Sequence, residues 1–153
     1  MSTVDYSGRI LDAEFMQHVV GPAKMITLDT TLRKDGASRR VTGVQKVAQR
    51  YALILMTPRG TLPQYPSYGT NLSTLIHNGA VANRSQLATL FAFANSLTMD
   101  QLAAEAQPTD PDDEVLVSAT LIDYDIDYSS LSVLLRILLK TRAGITYTYV
   151  IPA

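Results

Sequence analysis

Past residue 114 the apolar residues of this chain stop recurring every three or four positions and begin to alternate. That change of period commits the two parts of the chain to different secondary structure. Side chains share one face of a helix at a spacing of about 3.6 residues, and one face of a strand at a spacing of about 2. VLVSATLIDYDIDY (115–128), SLSVLLRILLK (130–140) and ITYTYVI (145–151) read as three strands. Asp127-Tyr128-Ser129-Ser130 and Thr141-Arg142-Ala143-Gly144 supply the turns between them. The expectation is an antiparallel meander ending two residues short of the C-terminus.

The preceding segment is helical. Thr42-Gly43-Val44-Gln45 has the spacing of a reciprocal N-terminal cap, and Val44, Val47, Ala48, Tyr51, Ile54 and Leu55 follow at helical intervals. Pro58 ends that helix, having no N–H to continue the ladder. Residues 57–69, TPRGTLPQYPSYG, form a connector rich in Pro and Gly, and a short helix carries Leu72, Leu75 and Ile76 up to Gly79. Asn83 with Gln86 opens a third helix, and Thr98 with Gln101 has the form of another cap. Two helices meeting near Asn95–Leu97 are therefore expected. QPTDPDDE (107–114) reads as a solvated polar loop. Nearer the N-terminus, MITLDTTLR (25–33) alternates like a strand before a Lys34-Asp35-Gly36 turn. Residues 1–23, with Ile10, Leu11, Phe15 and Val19, read either as a short amphipathic turn or as a docking arm. The fold class expected is α+β, with N-terminal helices packed on a C-terminal antiparallel β-meander in one domain spanning 1–153.

Several chemistries lack their residues. The chain has no Cys, which removes disulfides, thiolate zinc sites and cysteine nucleophiles together and fits folding inside a cell. Its start lacks the basic-then-apolar-then-small pattern of a secretory signal, and no apolar run has the length of a spanning helix. His18 and His77 stand apart without ligand-spaced partners, and no P-loop, dinucleotide fingerprint, H-E-x-x-H or G-x-S-x-G is present. No cofactor, metal, membrane or small-molecule substrate is expected.

Charge is split along the chain. Residues 1–84 carry ten Lys/Arg against five Asp/Glu and residues 85–153 carry three against nine, so +5 and −6 give the net −1. The densest basic cluster is Arg33, Lys34, Arg39, Arg40, Lys46 and Arg50. It reads as a solvated face around a turn and a helix start, and nucleic acid is not the expected partner. A charge-split small protein also suits packing between neighbours in an assembly.

The carboxylates are the candidates for catalysis and metal binding. Asp123, Asp125 and Asp127 alternate with Tyr124, Ile126 and Tyr128, the pattern of a strand showing its wet face. Asp110, Asp112, Asp113 and Glu114 lack the ligand ladder of a calcium loop. A glycoside hydrolase needs two carboxyls flanking a cleft. Glu105, or an Asp of the 110–114 loop, is where a small lysozyme-like activity would sit, as the alternative to a structural role.

The last strand is the most informative segment. Ile145, Tyr147, Tyr149 and Ile151 share one face and Thr146, Thr148 and Val150 the other, with no charge within the strand. Such a strand either lies centrally in its sheet or, at the edge, invites another chain to pair with it.

VTGVQKVAQRYALILMTPRGTLPQYPSYGTNL (41–72) resembles the lysozyme-like baseplate wedge family of contractile tails, which includes phage sheath initiators and the corresponding component of type VI secretion baseplates. The resemblance is carried by Gln49, Leu55, Thr57, Arg59, Gly60, Pro66, Tyr68, Gly69 and Leu72. It departs at Gly60-Thr61-Leu62, where the family often has Gly-Glu, and at Glu105-Ala106-Gln107-Pro108-Thr109, where the family tends to carry Glu-Pro-Arg. It does not cover the first twenty or so residues. The resemblance implies a structural protein without enzymatic activity, in several copies around a tail axis within a virion baseplate assembled in the host cytoplasm. Its implied partners are the tail sheath protein, other wedge proteins and the tail tube. The hairpin at 130–151 would template the sheath, with Ile145, Thr146, Tyr147, Thr148, Tyr149, Val150 and Ile151 as the pairing strand. Arg59, Gly60, Tyr68 and Gly69 would shape the connector.

Overall fold

A computed structural model describes residues 12–13, 40–129 and 132–153. Most of the 1–23 arm, the strand at 25–33 with its turn, Arg33, Lys34, Arg39 and Leu131 lie outside the described residues. Two short strands, β1 (Asp12–Ala13) and β2 (Arg40–Val41), pair antiparallel just ahead of the first helix.

Three helices follow. Helix α1 (Val44–Met56) ends where Pro58 predicts, with Thr57 donating its N–H to Leu53 O. Helix α2 (Leu72–His77) stops at Gly79, whose φ is +71°. Gly79 N–H reaches Ile76 O and Ala80 N–H reaches Leu75 O, the pair of bonds that closes a helix over a left-handed residue. Helix α3 runs unbroken over Arg84–Glu105.

That continuity corrects the expectation of two helices. The Asn83 half of the prediction holds: Asn83 Oδ1 accepts from Gln86 N–H at 2.9 Å, and Gln86 Oε1 accepts from Ala82 N–H at 2.9 Å. Thr98, however, is fully buried, and its hydroxyl donates to Ala94 O one turn back. A Thr so engaged continues a helix instead of capping one. Its supposed partner Gln101 is held elsewhere.

The start of α1 is a second correction. No side chain of the Thr42–Gln45 segment caps it. The anchor is Glu114, at the end of a 3-10 turn (Asp112–Glu114) far along the chain. Its Oε1 accepts from Thr42 Oγ1 at 2.7 Å and Gly43 N–H at 3.1 Å, while Oε2 accepts from Lys46 Nζ at 2.9 Å. The 107–114 segment is thus more than a solvated loop. Asp113 is 5% exposed, and the Glu114 side chain is 7% exposed.

The three predicted C-terminal strands are present as β3 (Leu116–Asp127), β4 (Ser132–Thr141) and β5 (Thr146–Pro152), antiparallel in the order β3-β4-β5. Burial along β4 alternates strictly, because Val133, Leu135, Ile137 and Leu139 face the helices. They share one core with Tyr51 and Leu55 of α1, Leu72 and Ile76 of α2, Leu87 and Phe91 of α3, and Tyr149 and Ile151 of β5. The architecture is therefore helices followed by a three-stranded antiparallel sheet, joined by a single apolar cluster.

Candidate functional site

Among the described residues, strand β5 is an outer strand, paired on one side only, with β4. Its ladder runs without a register shift from Lys140↔Thr146 to Leu134↔Pro152. Val133 and Ala153 exchange both main-chain bonds, at 2.9 and 2.7 Å, and Thr141 N–H reaches Ile145 O at 2.9 Å. Because antiparallel pairs alternate between bonded and non-bonded, Ile145, Tyr147, Tyr149 and Ile151 turn their N–H and C=O groups toward β4. The main-chain groups of Thr146, Thr148 and Val150 therefore point outward, and no hydrogen bond to them is made among the described residues.

Side chains follow the same alternation. Tyr149 and Ile151 are buried against the helices, Tyr147 is half-buried, and the two tyrosine rings lie 6.0 Å apart. Burial pushes both phenols up, and Tyr147 adds to the rise at Tyr149, so both rings are neutral over the physiological range. Thr146 and Thr148 are exposed on the other face. Among the described residues the strand expected to carry pairing is thus an outer one, without charge and without a bulge.

The opposite edge, β3, is obstructed. Its pairing with β4 slips between Leu116 and Ser118 and again between Leu121 and Asp123. Asp123, Asp125 and Asp127 are exposed along it, and Asp123 contacts Arg136 at 3.4 Å. Ala119 lies opposite Leu139, whose main chain serves β5, so the Ala119 carbonyl points outward. Asn95 Nδ2 of α3 takes that carbonyl at 3.1 Å, and Tyr51 donates to Asn95 Oδ1 at 2.7 Å. Bulges, charges and a covering helix are the usual means of blunting an edge. β3 has all three.

The connector is a closed loop. Pro58 and Thr70 form a parallel bridge, with Arg59 N–H on Thr70 O at 3.0 Å and Thr70 N–H on Thr57 O at 2.9 Å. Gly69 sits at φ +88°, and a Cβ there would lie 2.2 Å from Thr57 O. Gln101 of α3 grips it from both sides, accepting from Gly69 N–H at 2.9 Å and donating to Gly69 O at 3.2 Å. Gly60 also has a positive φ, +86°, but in open space. Arg59 is exposed and closes the loop through its main chain. Tyr68 is half-buried, its phenol pushed up first by burial and then by Glu105, against a smaller opposing effect of Arg50. The loop presents Leu62 and Tyr65, which are 41% and 64% exposed.

The carboxylates that a hydrolase would draw on are engaged in structure. Glu105 is ion-paired with Arg50 at the surface, and Arg142 holds Asp112. Lys46 and Arg50, the described side chains of the basic cluster, thus each have an acidic partner. A cavity of about 180 Å³ lies between α1, the end of α3 and the 110–116 segment, lined by Val47, Arg50, Leu102, Asp110, Glu114 and Leu116 among others. Among the described residues no group of three His, Asp or Glu is placed to hold a metal ion, and no helix is long and apolar enough to cross a membrane.

Gln101, Asn95 and Glu114 escaped prediction as positioning residues. The local sequence reads Gln101 as part of a cap and Glu114 as part of a solvated loop, and no periodic signal reports a contact across 32 or 71 positions. Comparison with known proteins finds no family model, no curated protein and no solved structure that matches this chain.

Proposed function

We propose that this chain is a structural subunit of a contractile-tail baseplate, present in several copies around the tail axis, and that β5 accepts an extended strand of the tail sheath protein. The observation that carries the pairing role is the contrast between the two sheet edges: β3 is bulged, charged and covered, whereas β5 is regular, uncharged and, among the described residues, unpaired on its outer side. Strand addition to such an edge takes its affinity from main-chain bonds to Thr146, Thr148 and Val150 and its register from the flanking side chains. The assignment to a tail comes from the sequence resemblance at 41–72. The rigid 58–70 loop, with Tyr65 exposed, is the surface offered to neighbouring wedge proteins.

Thr148→Pro tests the reading. It removes one outward N–H and no bond to β4, and proline is tolerated on an edge. The folded variant is expected to enter baseplates and fail to nucleate sheath; sheaths of normal length and number would refute the proposal. Cutting the chain before residue 145 is a poorer experiment, since it also takes Tyr149, Ile151 and Ala153 out of the core.

A further inference from the structure

Four asparagines occur in the chain, and only Asn78 is followed by glycine. Asn71, Asn83 and Asn95 precede Leu72, Arg84 and Ser96, whose side chains crowd the main-chain nitrogen between the two residues. Asn83 and Asn95 are also tied down, since their side-chain oxygens accept from Gln86 N–H and the Tyr51 hydroxyl. Asn78 lies exposed at the C-terminal end of α2, and its side chain makes no hydrogen bond among the described residues. We infer that Asn78 is a site of spontaneous covalent modification, where the main chain of Gly79 converts the side-chain amide to a carboxylate, and that the turn closing α2 sets the rate.

The chemistry needs no reactant but water. The Gly79 nitrogen gives up its proton and attacks Asn78 Cγ. The new C–N bond closes a five-membered imide, the Cγ–Nδ2 bond breaks, and the amide nitrogen leaves as ammonia. Water then opens the imide at either carbonyl, giving aspartate or, with the main chain rerouted through the side chain, isoaspartate. Glycine permits the attack because it has no Cβ to obstruct the ring. The folded geometry holds the reaction back in two ways. Gly79 donates its N–H to Ile76 O at 3.0 Å, and a ψ of 6° at Asn78 turns the Gly79 nitrogen away from Cβ, whereas the ring needs the two nearly eclipsed. The closing pair, Gly79 on Ile76 and Ala80 on Leu75, must therefore open first. His77 to Ala80 are all exposed, so this end of α2 can open locally while the core stays folded. Either product puts a negative charge where the last carbonyls of the helix are already negative. Isoaspartate adds a main-chain methylene that throws the closing bonds out of register. The modification thus loosens α2, which supplies Leu72 and Ile76 to the core.

Peptide mass spectrometry on the purified full chain, held in mildly alkaline buffer with and without denaturing urea, tests this. In the folded chain, conversion of Asn78 is expected to lead that of Asn71, Asn83 and Asn95, and to be roughly tenfold or more slower than in urea. Ala80→Pro removes the bond to Leu75 O and alters neither reacting residue. It should speed conversion in the folded chain roughly fivefold and leave the rate in urea unchanged. Asn78→Gln, one methylene too long for the five-membered ring, should stop the reaction at this position. Absence of conversion in the folded chain, or conversion there led by another asparagine, would overturn the inference. Equal rates at Asn78 with and without urea would overturn it too, since α2 would then set nothing. Neither readout needs sheath or baseplate, so failure here leaves the tail proposal to its own test.

Discussion

Gln101 and Gly69 form a reciprocal pair, each giving one hydrogen bond and taking one, at 3.2 and 2.9 Å. The pair fastens the connector to the C-terminal part of α3 and explains why a glycine stands at position 69. Any side chain there would meet the Thr57 carbonyl.

Gly69→Ala should therefore cost about 3 kcal/mol or more, from the left-handed backbone together with the clash. Gly60→Ala, with a similar φ but open surroundings, should cost about 1 kcal/mol. Urea unfolding of the two variants gives the comparison, and equal losses would show that the clash is relieved cheaply.

Glu114 ties stability to pH. Burial raises its carboxyl, but hydrogen bonds from Lys46, Thr42 and Gly43, with the Lys46 charge, outweigh that and hold it below its ordinary value of 4.5. A carboxyl depressed in the folded state favours folding above its unfolded value, and the contribution is lost as pH falls through the folded one. Glu114→Gln should cost about 2 kcal/mol at neutral pH and flatten the acid limb of stability below about pH 4.5. An unchanged acid limb in denaturant titrations would place the acid sensitivity elsewhere.

Tyr51→Phe removes the hydroxyl that joins α1 to Asn95 and, through Asn95, to the Ala119 carbonyl. Burial pushes this phenol far up, so it stays neutral as a donor. The variant is expected to lose about 1 to 2 kcal/mol. Amide exchange should quicken at β3 more than at β5. Uniform acceleration across the sheet would indicate global destabilisation only.

The two apparent caps of α3 should respond differently to Ala. Asn83→Ala should cost about 1 kcal/mol, because it leaves Gln86 N–H without its acceptor. Thr98→Ala removes a hydroxyl that bonds Ala94 O within its own helix and should leave helix content by circular dichroism unchanged, whereas loss of a true cap would lower it.

What was legible in the chain follows from how local each determinant is. The Pro58 stop, the Gly79 closure, the Asn83–Gln86 cap and the alternation of β4 and β5 depend on sterics and hydrogen bonds within a few residues. Sequence by itself therefore determined the helical faces, three strands, their order and the uncharged composition of β5. Tertiary structure alone decided that Glu114 starts α1 from 71 positions away, that α3 passes through Thr98 without a break, and that β5 is an outer strand among the described residues while α3 covers β3. These outcomes turn on which surfaces the shared core brings together. A buried Thr finds its acceptor in its own helix and a distant carboxylate outcompetes a local cap. The helix that covers β3 does so because the shared core sets α3 beside that edge.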